Sequence, residues 1–212
     1  MWIVSLIKFG KQEHIEQLYN KGIIYMNPLK FFRELEEDQV RGDPNEGTTR
    51  ISQPEIIRQV KLISGGKEIV LENKGLIKEA NVSGNIFCAL AIFRKEDQSV
   101  IKPDIRGDVF KFGDAILLIN NVPEFIDRVT KAAQKVRQNM ESRAVKYIDF
   151  DKHHGQVEWF EKDKKYSYQN EFRFFVFPGV DQTLQLRIGP LKNLAVRINK
   201  RDLVSLKFDF SG

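Results

Sequence analysis

The feature that most restricts the fold is a nearly unbroken apolar run, Asn85–Phe93, reading NIFCALAIF. It is far shorter than the ~20 residues of a membrane span. It also lacks the alternation of a half-buried strand, so it reads as a central strand covered on both faces. Such a strand needs neighbours and covering layers, and the rest of the chain supplies them. Trp2–Phe9 reads as a strand closed by Gly10. Lys11–Lys21 carries Ile15, Leu18 and Tyr19 at helical spacing, with Gly22 as the C-terminal stop. Ile23–Met26 reads as a short strand, and Asn27-Pro28 as the cap and first residue of a helix with Leu29, Phe32 and Leu35 on its apolar stripe. The wet face of that helix falls on Glu34, Glu36, Glu37 and Asp38.

Strand signals dominate further on. Ile56–Ile63 and Glu68–Leu71 flank Ser64-Gly65-Gly66, a hairpin turn. Lys95–Gly107 reads as a surface loop and Asp114–Ile119 as an apolar strand. Asn121-Val122-Pro123-Glu124 opens a long helix whose stripe is Phe125, Ile126, Val129, Ala133 and Val136, with Arg137 and Arg143 toward its end. Strands are expected at Val145–Phe150, Val157–Phe160, Gln169–Phe177, Thr183–Ile188, Leu194–Ile198 and Leu203–Phe210. Strands interleaved irregularly with two to three helices predict a single α+β domain spanning residues 1–212, its sheet mainly antiparallel or mixed. With 212 residues, 42% hydrophobic and 16 of them Phe, the chain can bury a sizeable core.

The chain has one cysteine, Cys88, which excludes an internal disulfide and fits a reducing, cytoplasmic setting. Cys88 lies inside the apolar run and reads as a buried thiol. Met1–Ile7 lacks a basic start and a cleavage site, so it reads as a strand and not a signal peptide. No membrane segment is expected. The net charge of +5 permits contact with nucleic acid, but 34 basic residues are offset by 29 acidic ones and no binding motif appears. The segment holding Lys162, Lys164, Lys165, Tyr166 and Tyr168 reads as a solvated hairpin tip, and nucleic-acid binding is the weaker alternative.

Phosphate-loop, dinucleotide, nucleophile-elbow and zinc-protease motifs are absent. His153 and His154 are adjacent and would face opposite ways on a strand, so no metal site is expected. Two segments remain. In Gln169–Phe177, alternation puts Phe172, Phe174 and Val176 on one face, and Gln169, Glu171, Arg173, Phe175 and Phe177 on the other. That second face passes from polar to apolar, which places Glu171 and Arg173 near the mouth of a cleft. In the loop Arg41-Gly42-Asp43-Pro44-Asn45-Glu46-Gly47, two glycines and a proline brace Arg41, Asp43 and Glu46.

Taken together, Gly22–Pro28, Phe31-Phe32, the Arg-Gly-Asp-x-x-Glu-Gly loop, Ile86–Leu90 and Tyr168-Gln169-x-Glu171-x-Arg173 resemble a broad family of bacterial and phage proteins. Ala89 stands where that pattern has a serine. The likeness covers residues 1–177 and implies a setting in phage–host conflict or phage defence, without an assigned activity. A more distant likeness is to ADP-ribosyltransferases, whose closing strand carries a Gln/Glu-x-Glu triplet matched by Gln169-Asn170-Glu171. This likeness implies NAD as the ligand. Glu171 would stabilise the oxocarbenium-like centre formed when the nicotinamide–ribose bond breaks, Gln169 would position the acceptor, and Arg41 or Arg33 would hold the dinucleotide. The primary expectation is a cleft between the 41–47 loop and the 169–177 strand that binds a partner protein or a nucleotide-type ligand. Arg41, Asp43, Glu46, Arg173 and Arg33 are its binding residues. NAD-dependent transfer or cleavage through Glu171 and Gln169 is the alternative.

Overall fold

The computed structural model describes residues 2–35, 42–80, 82–105 and 107–211. In chain order the elements are β1 (Trp2–Gly10), α1 (Gln12–Lys21), β2 (Ile23–Pro28), α2 (Leu29–Glu34), β3 (Arg50–Ser52), β4 (Gln59–Ser64), β5 (Lys67–Glu72), β6 (Ile77–Glu79) and β7 (Asn85–Arg94). They continue with β8 (Val100–Ile101), a 3-10 helix (Gly107–Phe112), β9 (Ala115–Ile119), α3 (Val122–Lys135), β10 (Asn139–Ala144), β11 (Lys146–Ile148), β12 (Gly155–Gln156) and β13 (Glu161–Asp163). A second 3-10 helix (Lys164–Gln169), β14 (Glu171–Phe177), β15 (Leu184–Arg187), β16 (Ala195–Ile198), α4 (Lys200–Val204) and β17 (Phe208–Asp209) complete the chain. The fold is α+β, built on antiparallel pairing.

The main sheet runs β10-β14-β7-β1-β9-β16, with β2 joined to β7 and β15 joined to β2. The apolar run Asn85–Phe93 is its centre, as its composition requires. One face of the sheet packs on α1 and α3, where Phe87, Phe125, Phe174 and Val129 meet in the largest core cluster. Ile7, Leu90, Ile116 and Leu118 lie in a second cluster with Val109 and Leu203. Burying both faces explains why β7 and β9 read as continuous apolar runs.

One edge of β7 is split. Along the other edge β14 pairs continuously, from Glu171 opposite Leu90 to Val176 opposite Asn85. On the split edge β1 pairs with Leu90–Arg94, whereas β2 pairs only with Asn85 and Ile86. Among the described residues no strand pairs with Phe87, Cys88 or Ala89 on that side. The cause is α1, which joins β1 to β2 and forces them apart. Gly22 makes the return possible: it sits at φ 63°, and a Cβ there would lie 1.9 Å from the Gly189 carbonyl oxygen.

Several local expectations are corrected. Asn27 and Pro28 finish β2; Pro28 occupies the cap position of α2, and Asn27 accepts a hydrogen bond from Thr183 at 2.8 Å. Glu36, Glu37 and Asp38 lie outside the described residues. The long helix ends at Lys135, Val136 is exposed, and Arg143 belongs to β10, an edge strand. Lys95–Gly107 contains the short β8, and Val157–Phe160 is not a strand. Leu203 is helical, in α4, so Leu203–Phe210 is not one continuous strand. No helix among the described residues is long and apolar enough to cross a membrane.

Candidate functional site

The 42–49 loop is anchored through its own backbone. The Asp43 amide donates to the Phe32 carbonyl, the Glu46 amide to the Asp43 carbonyl and the Thr48 amide to the Asn45 carbonyl, at 2.9–3.0 Å. The Asp43 carboxylate closes the turn by accepting from the Asn45 amide at 2.9 Å. Gly47 adopts φ 74°, and a Cβ there would come within 2.9 Å of Leu29 and 3.1 Å of the Arg33 guanidinium. Arg33 donates from Nη1 to the Glu46 carbonyl oxygen at 3.0 Å, so it braces the loop. This braced turn directs Asp43 and Glu46 inward. Arg41 lies outside the described residues.

Glu46 and Glu171 meet over two cations. Arg173 reaches Glu46 Oε1 with Nη1 at 2.9 Å and Glu171 Oε1 with Nε at 2.6 Å. Lys162 Nζ lies 3.5 Å from Glu46 Oε2 and 3.3 Å from Glu171 Oε2. Charges therefore alternate around a closed four-membered ring, Glu46–Arg173–Glu171–Lys162, whose members are 4%, 2%, 6% and 7% exposed. Asp43 joins from the loop at 3.7 Å from Lys162, and Gln169 accepts from Lys162 Nζ at 2.9 Å. Around Glu171, the Cys88 thiol donates to Oε1 at 3.0 Å and the Tyr147 hydroxyl accepts from the Glu171 amide at 2.9 Å. Arg173 Nη1 also donates to the Trp159 carbonyl at 2.7 Å, while Nη2 has no partner and is the one such buried side-chain atom among the described residues.

Burial raises the Glu171 carboxyl, but Arg173 and then Lys162 outweigh it and hold the group well below the usual carboxylate range. Glu171 therefore stays ionised and is a poor proton acceptor. Asp43 moves the other way: burial raises it, and Lys162 only partly offsets that. Burial pulls Lys162 down, yet the carboxylates of Glu171, Glu46 and Asp43 more than compensate and fix it as an ammonium. Burial and the Glu171 charge push the half-buried Cys88 thiol up, which favours its protonated form.

The ring faces a cavity of about 540 Å³ that opens beside the split edge of β7. Glu46, Lys162, Gln169 and Glu171 line it together with Cys88. Apolar and aromatic walls come from β1, β2 and α2, including Phe9, Tyr25 and Phe32, while Lys8 and Lys11 add cationic groups. Lys8 Nζ donates to the Cys88 carbonyl at 2.6 Å, within the gap that β1 and β2 leave.

The expected meeting of loop and strand thus occurs for Asp43, Glu46, Glu171, Gln169 and Arg173. Three details differ. Glu171 and Arg173 are not at a solvated cleft mouth but buried, because the loop covers them. Gln169 is not on the strand: it ends a 3-10 helix, and Asn170 at φ 40° breaks the alternation before β14. Gln169 still approaches Glu171, through their shared contact with Lys162. Lys162 is buried in the ring and is not part of a solvated tip. Its signal in the sequence was weak: one lysine in the run Glu161–Lys165, distinguished only by lying on β13 between Glu161 and Asp163. Lys164 and Lys165 are exposed as expected. His153 and His154 bond to Gln156 and Gln53, and no group of metal-ligating side chains occurs among the described residues. No family model, curated protein or solved structure matches the chain.

Proposed function

We propose that this cavity binds a nucleotide-type ligand, in a protein of bacterial or phage origin acting in phage–host conflict. The observation that carries the binding reading is that Glu46, from the loop, Gln169, at the end of the second 3-10 helix, and Glu171, at the start of β14, line one cavity. Its volume falls in the ~300–1,000 Å³ range of small-molecule sites, and its lining mixes apolar walls with a few convergent polar groups. A flat base would lie against the aromatic walls, ribose hydroxyls would donate to the carboxylates, and phosphates would meet Lys8 and Lys11. The conflict setting rests on the sequence resemblance alone.

A second reading, NAD cleavage or ADP-ribosyl transfer, is favoured by the ionised state of Glu171. Each carboxylate oxygen accepts about two hydrogen bonds. Oε2 holds only Lys162 among the described contacts, which leaves room for a ribose hydroxyl. A fixed anion there would stabilise the positive charge that develops as the glycosidic electron pair leaves with nicotinamide. Water or an acceptor hydroxyl would then bond to the ribose carbon in place of the departed neutral nicotinamide and release its proton to bulk water.

Calorimetric titration with NAD, ADP-ribose and ATP tests the first reading: one site per chain is expected, weakened at least tenfold in Glu46→Gln. Absence of binding by all three would overturn it. Nicotinamide release, measured by chromatography, tests the second. Turnover retained in a folded Glu171→Gln variant would remove it.

A further inference from the structure

Lys162 lies against four polar groups where the loop and the strand end meet: Asp43 and Glu46 on one side, Gln169 and Glu171 on the other. Arg173 spans only Glu46 and Glu171, and its remaining bond goes to the Trp159 backbone. The two cations thus differ. Arg173 is rooted in β14, paired on both sides within the main sheet by β10 and β7, and does not line the cavity. Lys162 lies on β13, whose strand partner is the three-residue β11, outside the main sheet, and its side chain lines the cavity. Glu46 lines the cavity directly, and of the two cations it is the Lys162 ammonium through which an occupant at Glu171 and the loop act on each other.

We propose that Lys162 is a positioning residue that couples the 43–48 loop to Glu171, so that ligand in the cavity tightens the loop and loosening the loop weakens the ligand by the same factor. The reciprocity is a thermodynamic requirement once both sites bias one arrangement. Physically, a ligand hydroxyl on Glu171 Oε2 shares that oxygen with Lys162 Nζ, which shifts the ammonium within the ring. Its contacts to Asp43 and Glu46, at 3.7 and 3.5 Å, are longer than the 3.3 Å to Glu171 and have room to shorten. The groups facing Asp43 are Lys162 from β13, Glu46 and the Asn45 amide from its own loop, and Lys165 and Tyr166 from the adjoining 3-10 helix. The ligand part of this inference rests on the cavity being a nucleotide site; the coupling of loop to strand does not.

Amide hydrogen exchange reads both parts separately. The Glu46 and Thr48 amides, each bonded within the loop, report the loop, and amides of β7 report global opening. In the ligand-free protein, Lys162→Met is expected to speed exchange at Glu46 and Thr48 at least tenfold relative to any change in β7. Lys162→Arg, which keeps the charge and its reach, is expected to restore most of the protection. With ADP-ribose as probe, wild-type loop amides should slow at least threefold, and less than half of that slowing should remain in Lys162→Met. Asp43→Asn, a milder change, should weaken ADP-ribose binding by the factor by which it reduces ligand-induced loop protection. Equal loop and β7 effects in Lys162→Met would reduce Lys162 to a general structural role and overturn the coupling. Undiminished ligand protection without Lys162 would do the same. If none of NAD, ADP-ribose and ATP binds the wild type, the nucleotide reading fails, while ligand-free exchange still decides the coupling.

Discussion

The 42–49 loop and the β4–β5 hairpin invert what their sequences suggest. The loop is polar throughout, yet Asp43, Glu46 and Thr48 are buried. The hairpin is rich in β-branched and aliphatic residues, yet Leu62, Ile63, Ile69 and Leu71 are 50%, 73%, 57% and 47% exposed. Its strands pair with each other and with no other strand among the described residues. Hydrophobicity decides what gains from burial, but topology decides what is offered a partner. The loop lies against the start of β14, where Lys162 and Arg173 supply opposite charge. The hairpin has no third strand beside it among the described residues, so its apolar side chains stay largely exposed.

That contrast implies opposite sensitivities to mutation. The largest effect is expected for Arg173→Met, which leaves Glu46 and Glu171 facing each other with one cation. Breaking a buried pair in this way costs about 3–5 kcal/mol, measurable as a lower urea midpoint with an unchanged slope. Acid should act on the same groups. Glu171 is held below its unfolded pKa of ~4.3, so its stabilisation is complete above that value and is lost as pH falls below it. Asp43 is raised, so it contributes in the opposite sense, losing stability as pH rises from ~3.9. Acid unfolding between pH 5 and pH 3 should therefore be steeper in Asp43→Asn than in the wild type, and an unchanged profile would break this assignment. Gly47→Ala is expected to cost about 1–3 kcal/mol, from positive φ and from the close approach of Leu29 and Arg33. At the far end of the scale, Leu62→Ser on the hairpin should change stability by no more than about 0.5 kcal/mol. A large loss there would mean the hairpin is covered in solution.

Much of the main sheet was legible from residue pattern. β1, β7, β9, α1 and α3 are long or strongly periodic, and Gly22 and Asn121 mark their ends by chemistry that acts locally. The rest was hidden for separate reasons. Asn139–Ala144 is an edge strand with few apolar residues, so its alternation of exposed and half-buried positions carries little signal. Asn170 breaks the strand through a left-handed backbone that no neighbouring residue announces. Glu171 and Arg173 were visible as a charged strand end, and Asp43 and Glu46 as a braced turn. Their burial was not visible, because it comes from contact between segments far apart in the chain. Lys162 was hidden for the same reason: a lysine among lysines shows no local trace of the three carboxylates that surround it.

The central claim is that Glu46 and Glu171 act as one unit across two shared cations. A double-mutant cycle on Glu46→Gln and Glu171→Gln, read by urea unfolding at neutral pH, tests it most directly. Residues sharing a buried network should show a coupling of at least about 1 kcal/mol, whereas independent sites add within about 0.5 kcal/mol. Coupling of the first size is the expected result; additive costs would contradict the ring, and with it the joining of loop and strand in one site.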